Sequence, residues 1–291
     1  MSLYVWPIVF ALFVWWFSTG LVLYVVGRPR ASHVNAVAVT TLLLAGGLWG
    51  LYETSDDTTI AGAYLSFASA LLVWGWHEMT FLLGFITGPR KDACPPKIHG
   101  RAPLGAAIEA VIYHEFAILL TAALICLLTA GGANQVGLWT FVILWLARLS
   151  TKFNIYLGVP NHTEQFLPPH LTYLASYFCR RPMNLLFPIS VTASTIITWL
   201  LVSAAMAPGA SAHEVAGFVF LATLMALALL EHWFLVLPLP SAELWTWGLA
   251  SREGQAAPVS SGNGGEAGKS QPLASQCASI SCPVAAAGAN A

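Results

Sequence analysis

Charge is what this chain has least of. Only 9 % of its 291 residues are Asp, Glu, Lys or Arg, against about 25 % in an ordinary soluble domain. With 57 % hydrophobic residues, the composition excludes a soluble globule and defines a polytopic membrane protein. The formal net charge is −1, so there is no basic surface to attract nucleic acid. Cysteine is sparse too. Its five residues, at 94, 126, 179, 277 and 282, never form the C-x-x-C spacing of a zinc site. No Gly-x-Ser-x-Gly elbow supports a serine nucleophile, and no glycine-rich phosphate loop follows a strand. An internal repeat that would suggest the duplicated halves of a transporter is also missing.

What remains is apolar sequence in long runs. At roughly 20 residues per span, seven candidates emerge: Leu3 to Val26, Val34 to Tyr52, Ile60 to Ile86, Leu104 to Ala130, Gly137 to Leu157, Asn184 to Ala207 and His213 to Leu237. The expected fold is an all-α membrane bundle of about seven helices, spanning residues 1–252. The N-terminus has no positive n-region, so its run reads as a retained first helix. Arg28, Arg30, Arg90, Lys91, Lys97, Arg101, Arg180, Arg181 and Arg252 all fall in alternate connections, and the others carry no Lys or Arg. The positive-inside rule then puts the N-terminus outside and the C-terminus in the cytoplasm. From 253 to 291 the composition turns to Gly, Ser, Ala, Gln and Pro, which reads as a disordered tail. The cytoplasmic segment Gly158 to Pro182 holds four prolines and several aromatic residues, so a structured re-entrant or surface piece is expected there.

Ionisable residues inside these runs demand an explanation, because an intramembrane charge is costly and marks a functional site or an internal partner. Three His/Glu dyads stand out: His77-Glu78, His114-Glu115 and Glu231-His232. With about 1.5 Å of rise per residue, Glu78, Glu115 and Glu231 lie roughly 12, 16 and 9 Å from the cytoplasmic ends of their spans. Adjacent helical residues diverge by about 100°, so one dyad member can face the bundle axis while the other faces a neighbouring helix. Arg148 and Lys152 share one face of the fifth span at i,i+4 spacing. Asn154 lies near them, Glu109 adds a carboxylate before Glu115, and His162, Glu164 and His170 sit in the loop below.

Three readings fit this collection. His77, Glu78, His114, Glu115, Glu231 and His232, joined by His162 and Glu164, are a donor set suited to a di-metal centre of iron, manganese or zinc. The usual Glu-x-x-His spacing of such centres is absent, however. Alternatively, His77, His114 or His232 ligates the central metal of a tetrapyrrole. In the third reading the carboxylates neutralise Arg148 and Lys152, while the histidines hydrogen-bond within the bundle.

Longer motifs then carry a resemblance. WWFSTG (Trp15 to Gly20), WGWHEMTFLLGFITGPR (Trp74 to Arg90), ARLSTKFNIYLGVPN (Ala147 to Asn161), and EHWFLVLPLP with LWTW (Glu231 to Trp247) are similar to the PuhE family. These are photosynthetic complex assembly proteins of anoxygenic phototrophic bacteria, encoded near the reaction-centre H subunit. The resemblance implies a multi-pass protein of the bacterial inner membrane. It also implies partners among reaction-centre or light-harvesting subunits or pigment-synthesis proteins, and a role in assembling the complex or supplying its bacteriochlorophyll. It implies no reaction and no catalytic residues. A membrane metal-dependent oxidase or hydroxylase acting on a tetrapyrrole or quinone through the dyads is the alternative.

Overall fold

The computed structural model of the chain describes residues 2–97, 100–162 and 164–253. All regular structure among them is helical. The helices are α1 (Ser2–Val26), α2 (His33–Glu53), α3 (Ile60–Leu82), α4 (Leu104–Glu109), α5 (Ile112–Leu128), α6 (Val136–Leu157), α7 (Leu186–Ala205), α8 (Ala212–Phe234) and α9 (Thr246–Glu253), with short 3-10 turns between several of them. Five described stretches are long and apolar enough to cross a membrane: Ser2–Val26, Arg30–Glu53, Val136–Leu157, Leu186–Ala205 and Ala212–Phe234. Most of the tail expectation, from residue 254 onward, lies outside the described residues.

Two expected spans differ from their runs for physical reasons. The run Ile60 to Ile86 stops being helical at Leu82, because Gly84 adopts a positive φ of 81°, which suits glycine alone. Within α3, Ser66, Ser69, His77 and Thr80 are buried. This helix packs against α1, α2, α5, α6 and α8, so most of its surface meets protein, although Leu65 and Leu72 stay exposed, and polar residues find a place on the packed sides. The run Leu104 to Ala130 is not one helix but two, α4 and the 17-residue α5. The returning chain after α3 causes the break. Gly88 presses on the Glu109 carbonyl and on Ala110 so closely that a Cβ has no room. The Thr87 carbonyl accepts the His114 N–H at 3.0 Å, diverting a donor that an unbroken helix would send to residue 110. Irregular backbone at such a depth is tolerated when protein encloses it, and Ala110 is buried.

Packing is centred on α3 and α8. Two thirds of the most apolar window of α8 is buried, against about a tenth in α2 and α7, so α8 is interior and the other two are peripheral. Phe67 of α3 stacks on Phe220 of α8 at 4.4 Å between ring centroids. Small residues set the spacing elsewhere. Gly137 of α6 lies against Leu51 and Ser66, and its N–H donates to the Ser66 hydroxyl at 2.9 Å. At the N-terminus of α8, Ser211 and Glu214 form a reciprocal capping box, which satisfies two otherwise unpaired helix donors.

The proline-broken segment after α6 is structured, with 3-10 turns at Glu164–Phe166 and Pro169–Tyr177. Its Leu171, Leu174 and Tyr177 pack with Met79, Leu82 and Leu83 at the end of α3 and with Ala106 of α4. The last described elements return to the first helix. Trp16 Nε1 donates to the Leu244 carbonyl at 2.8 Å, and Trp245 Nε1 donates to the Trp16 carbonyl at 2.9 Å. Gly20 receives the Trp247 indole in direct contact, so the WWFSTG and LWTW motifs are two halves of one packing interface.

Candidate functional site

The three dyads divide their members. Within each of the first two, the carboxylate turns to α6 and the imidazole turns elsewhere. Arg148 Nη2 donates to Glu78 Oε2 at 2.6 Å, and Lys152 Nζ donates to Glu115 Oε1 at 2.5 Å. The i,i+4 spacing that puts both cations on one face of α6 thus serves two helices, α3 and α5. Trp145, one turn before them, aims its indole N–H at Glu115 Oε2, 3.4 Å away. Lys152 also lies over the Phe81 ring, 5.3 Å from its centroid.

With the carboxylates drawn off, His77 and His114 meet each other. Their ring centroids are 6.4 Å apart and the planes are nearly perpendicular. Each residue is 1 % exposed. Aromatic side chains enclose them: Trp76 and Phe141 lie 5.0 and 5.8 Å from the His77 ring, and Phe81 lies 4.5 Å from that of His114. All four ring nitrogens are buried, and none has a hydrogen-bond partner among the described residues. Native interiors satisfy the great majority of such atoms. The helix break before α5 makes this meeting possible, since it sets His114 in the first turn of α5 beside Thr87 and Phe81.

The third dyad is built differently. Glu231 Oε1 accepts from Trp15 Nε1 at 3.0 Å, a contact between α8 and α1. His232 is also 1 % exposed, but both of its nitrogens are engaged. Nδ1 lies 2.8 Å from the Ala228 carbonyl and must donate to it, because a carbonyl only accepts. Nε2 is therefore the acceptor for the Ser150 hydroxyl at 2.8 Å. Ser190 joins Ser150 at 2.9 Å, and Asn154 Nδ2 donates to Ser190 Oγ at 3.2 Å. Asn184 then donates to the Asn154 side-chain and backbone oxygens, and its own Oδ1 accepts from the N–H groups of Leu186 and Phe187 at the start of α7. This chain of bonds fastens α8 to α6 and α7.

The other expected members lie apart. Glu109 pairs with Arg90 at 2.9 Å near the surface. His162 lies 3.1 Å from Glu164 Oε1 and 2.9 Å from the Cys179 carbonyl, and Arg180 also reaches Glu164. The eight-residue donor set does not converge. Among the described residues, no group of three or more His, Cys, Asp or Glu side chains could hold a metal ion. Three contributors were not singled out from sequence: Trp145, Ser190 and Asn184. Asn184 alone had a readable signal, as an Asn immediately before an apolar helical run.

The fold and site together define a class: an all-helical protein, five of whose described helices are long and apolar enough to cross a membrane, with a buried histidine pair held between helices. The chain belongs to the family described as "Protein of unknown function (DUF3623)", whose model matches residues 1–256. It is 43 % identical over 252 residues to a protein of Rhodobacter capsulatus named "Uncharacterized 30.4 kDa protein in puhA 5'region". That alignment covers 85 % of this chain and 92 % of the relative. No solved structure matches the chain.

Proposed function

We propose that this chain is a membrane assembly factor for the bacterial photosynthetic complex, and that it meets a tetrapyrrole pigment through His77 and His114. The observation that carries the proposal is the set of four buried, unpartnered ring nitrogens. A buried polar group left unpaired costs about 1–3 kcal/mol, and here the fold sustains two such rings side by side. A neutral imidazole nitrogen is a ready ligand for a tetrapyrrole's central magnesium or iron, and one such nitrogen is enough. The aromatic rings around the pair pack on the imidazoles themselves, at 4.5–5.8 Å, so a macrocycle reaches a nitrogen by displacing one of them and then stacks on the rest. The family resemblance and the relative's place in the puhA 5′ region both support a photosynthetic setting. The charge of the loops supports an external N-terminus and a cytoplasmic C-terminus in the bacterial inner membrane.

The chain's own contribution is orientation and exclusion of water. Arg148 and Lys152 hold Glu78 and Glu115 away from the rings, and so keep the carboxylates from taking the imidazole N–H groups. A metal-dependent oxidase draws less support, since catalytic metal sites take about three protein ligands and two histidines meet here.

The test is detergent-purified protein from a phototrophically grown host, compared with the His77→Leu/His114→Leu variant by absorption spectrum and elemental analysis. The proposal expects a near-infrared pigment band with magnesium that the double variant loses. Pigment-free wild-type protein, or a band of equal strength in the variant, would overturn it.

A further inference from the structure

A separate cavity of about 360 Å³ lies at the end of the bundle where α1 finishes, α2 starts and α3 gives way to residues 83–91. The 3-10 turn Pro169–Tyr177 closes its other side. None of its lining residues belongs to a dyad, so it is distinct from the histidine pair. Its charge has one sign. Arg30 and Lys91 line it, and no carboxylate does. Neither cation is in an ion pair among the described residues.

Uncharged polar groups complete the lining. His33 and His170 face each other across the cavity with ring centroids 6.5 Å apart. Nε2 of each ring donates to a backbone carbonyl, Arg28 for His33 and Leu82 for His170, both at 2.9 Å. That fixes both tautomers and leaves both Nδ1 atoms free as acceptors toward a ligand. The hydroxyls of Thr87 and Tyr173, also in the lining, are buried and lie near each other, and neither is engaged by any other group at hydrogen-bond distance among the described residues; Thr87 as a whole is 2 % exposed. Gly84 keeps the space open. With φ at +81° it suits no larger residue, and a Cβ there would come within 2.9 Å of His170.

We propose that this cavity binds a phosphate group. An arginine can grip two oxygens at once, a lysine supplies a compact point charge, and two hydroxyls add donors around them, while the two free Nδ1 atoms are acceptors suited to the P–OH of a monoprotonated phosphate. So many donors exceed what the two oxygens of a carboxylate can use, but match the oxygens of a phosphate. The volume, within the range of small-ligand sites, leaves room for the group that carries the phosphate. Two sources share this chemistry, a phospholipid headgroup entering from the bilayer edge and a free phosphate in water.

Full-length protein in dodecyl maltoside distinguishes them. Thermal midpoints are followed during titration with inorganic phosphate and, separately, with dihexanoyl phosphatidylglycerol, using dihexanoyl phosphatidylcholine as the zwitterionic control. The wild type is expected to gain a saturable upward shift with one or both anionic probes. Saturation by inorganic phosphate alone assigns a soluble ligand, and a response confined to phosphatidylglycerol over phosphatidylcholine assigns a headgroup. Arg30→Gln/Lys91→Gln should weaken that probe by more than roughly tenfold, the scale of one lost charge-assisted bond or more. Both residues are exposed, so this variant retains the fold. Thr87→Val should cost a few-fold. The proposal fails if neither anionic probe shifts the wild type, if phosphatidylcholine shifts it as much as phosphatidylglycerol while phosphate does nothing, or if the double variant binds as tightly as the wild type.

Discussion

His232 and the His77/His114 pair have the same side chain at the same burial, 1 % exposed each, and the fold treats them in opposite ways. His232 is wired through Ser150, Ser190, Asn154 and Asn184 until every donor finds an acceptor. His77 and His114 have aromatic rings packed against them and no partner for any nitrogen among the described residues. Burial alone therefore says little about a membrane histidine. What separates a structural imidazole from one held for another molecule is whether its nitrogens are already used.

The largest effect falls on the carboxylate arms, which the comparison assigns to structure. Lys152→Leu leaves Glu115 without its cation at membrane depth. It should lower stability by about 1–3 kcal/mol, at or below the scale of a broken buried pair because the two side chains are 25 % and 18 % exposed, and cut the amount of protein in the membrane. Adding Glu115→Leu should restore most of it. Quantitative immunoblotting of the two single variants and the double variant checks both statements, and equal losses in all three would break the assignment.

Next comes the satisfied histidine. His232→Leu removes one acceptor of the Ser150 hydroxyl, leaving it Ser190 alone, and should cost about 1 kcal/mol, read as a lower unfolding midpoint in detergent. The unsatisfied pair should behave in reverse. His77→Leu or His114→Leu removes an unpartnered polar group, so the midpoint should hold or rise by up to about 1 kcal/mol in equivalent stability. A drop as large as that of His232→Leu would erase the distinction.

The smallest effect lies at the bundle end, where burial, together with Arg30, His33 and Lys91, pushes the His170 pKa below its ordinary value of 6.5, against the pull of the Leu82 carbonyl. The unfolded chain then takes up a proton more readily than the folded one. Stability is flat above that ordinary value and falls as pH drops through it toward the folded value. In phosphate-free buffer, His170→Asn should flatten that part of the midpoint-versus-pH curve, and an unchanged slope would contradict the assignment.

Much of the arrangement was legible in the residues. Runs of apolar sequence placed the ends of α1, α2, α6, α7 and α8 to within about three residues, and the i,i+4 spacing of Arg148 and Lys152 foretold one cationic face. The expectation that carboxylates neutralise those cations holds for Glu78 and Glu115, whereas Glu231 bonds to Trp15 instead. The break between α4 and α5 left no mark in the sequence, because both pieces are apolar and the carbonyl that competes for the His114 N–H comes from Thr87, far back in the chain. The meeting of His77 with His114 depends on that break, so the pair could be named residue by residue but not as neighbours. Ser190 was hidden for a simpler reason: a lone serine in an apolar helix is ordinary until its partner's position is known.

In the proposed role, His77 and His114 are kept for another molecule and not for the fold. That role is tested most directly by measuring both quantities in one strain: the amount of the His77→Leu/His114→Leu protein in phototrophic membranes, and the near-infrared absorption of the photosynthetic complex in those membranes. Wild-type amounts of the protein with loss of most of the complex are expected. Full absorption at normal protein levels would contradict the role, and so would a collapse of the protein itself.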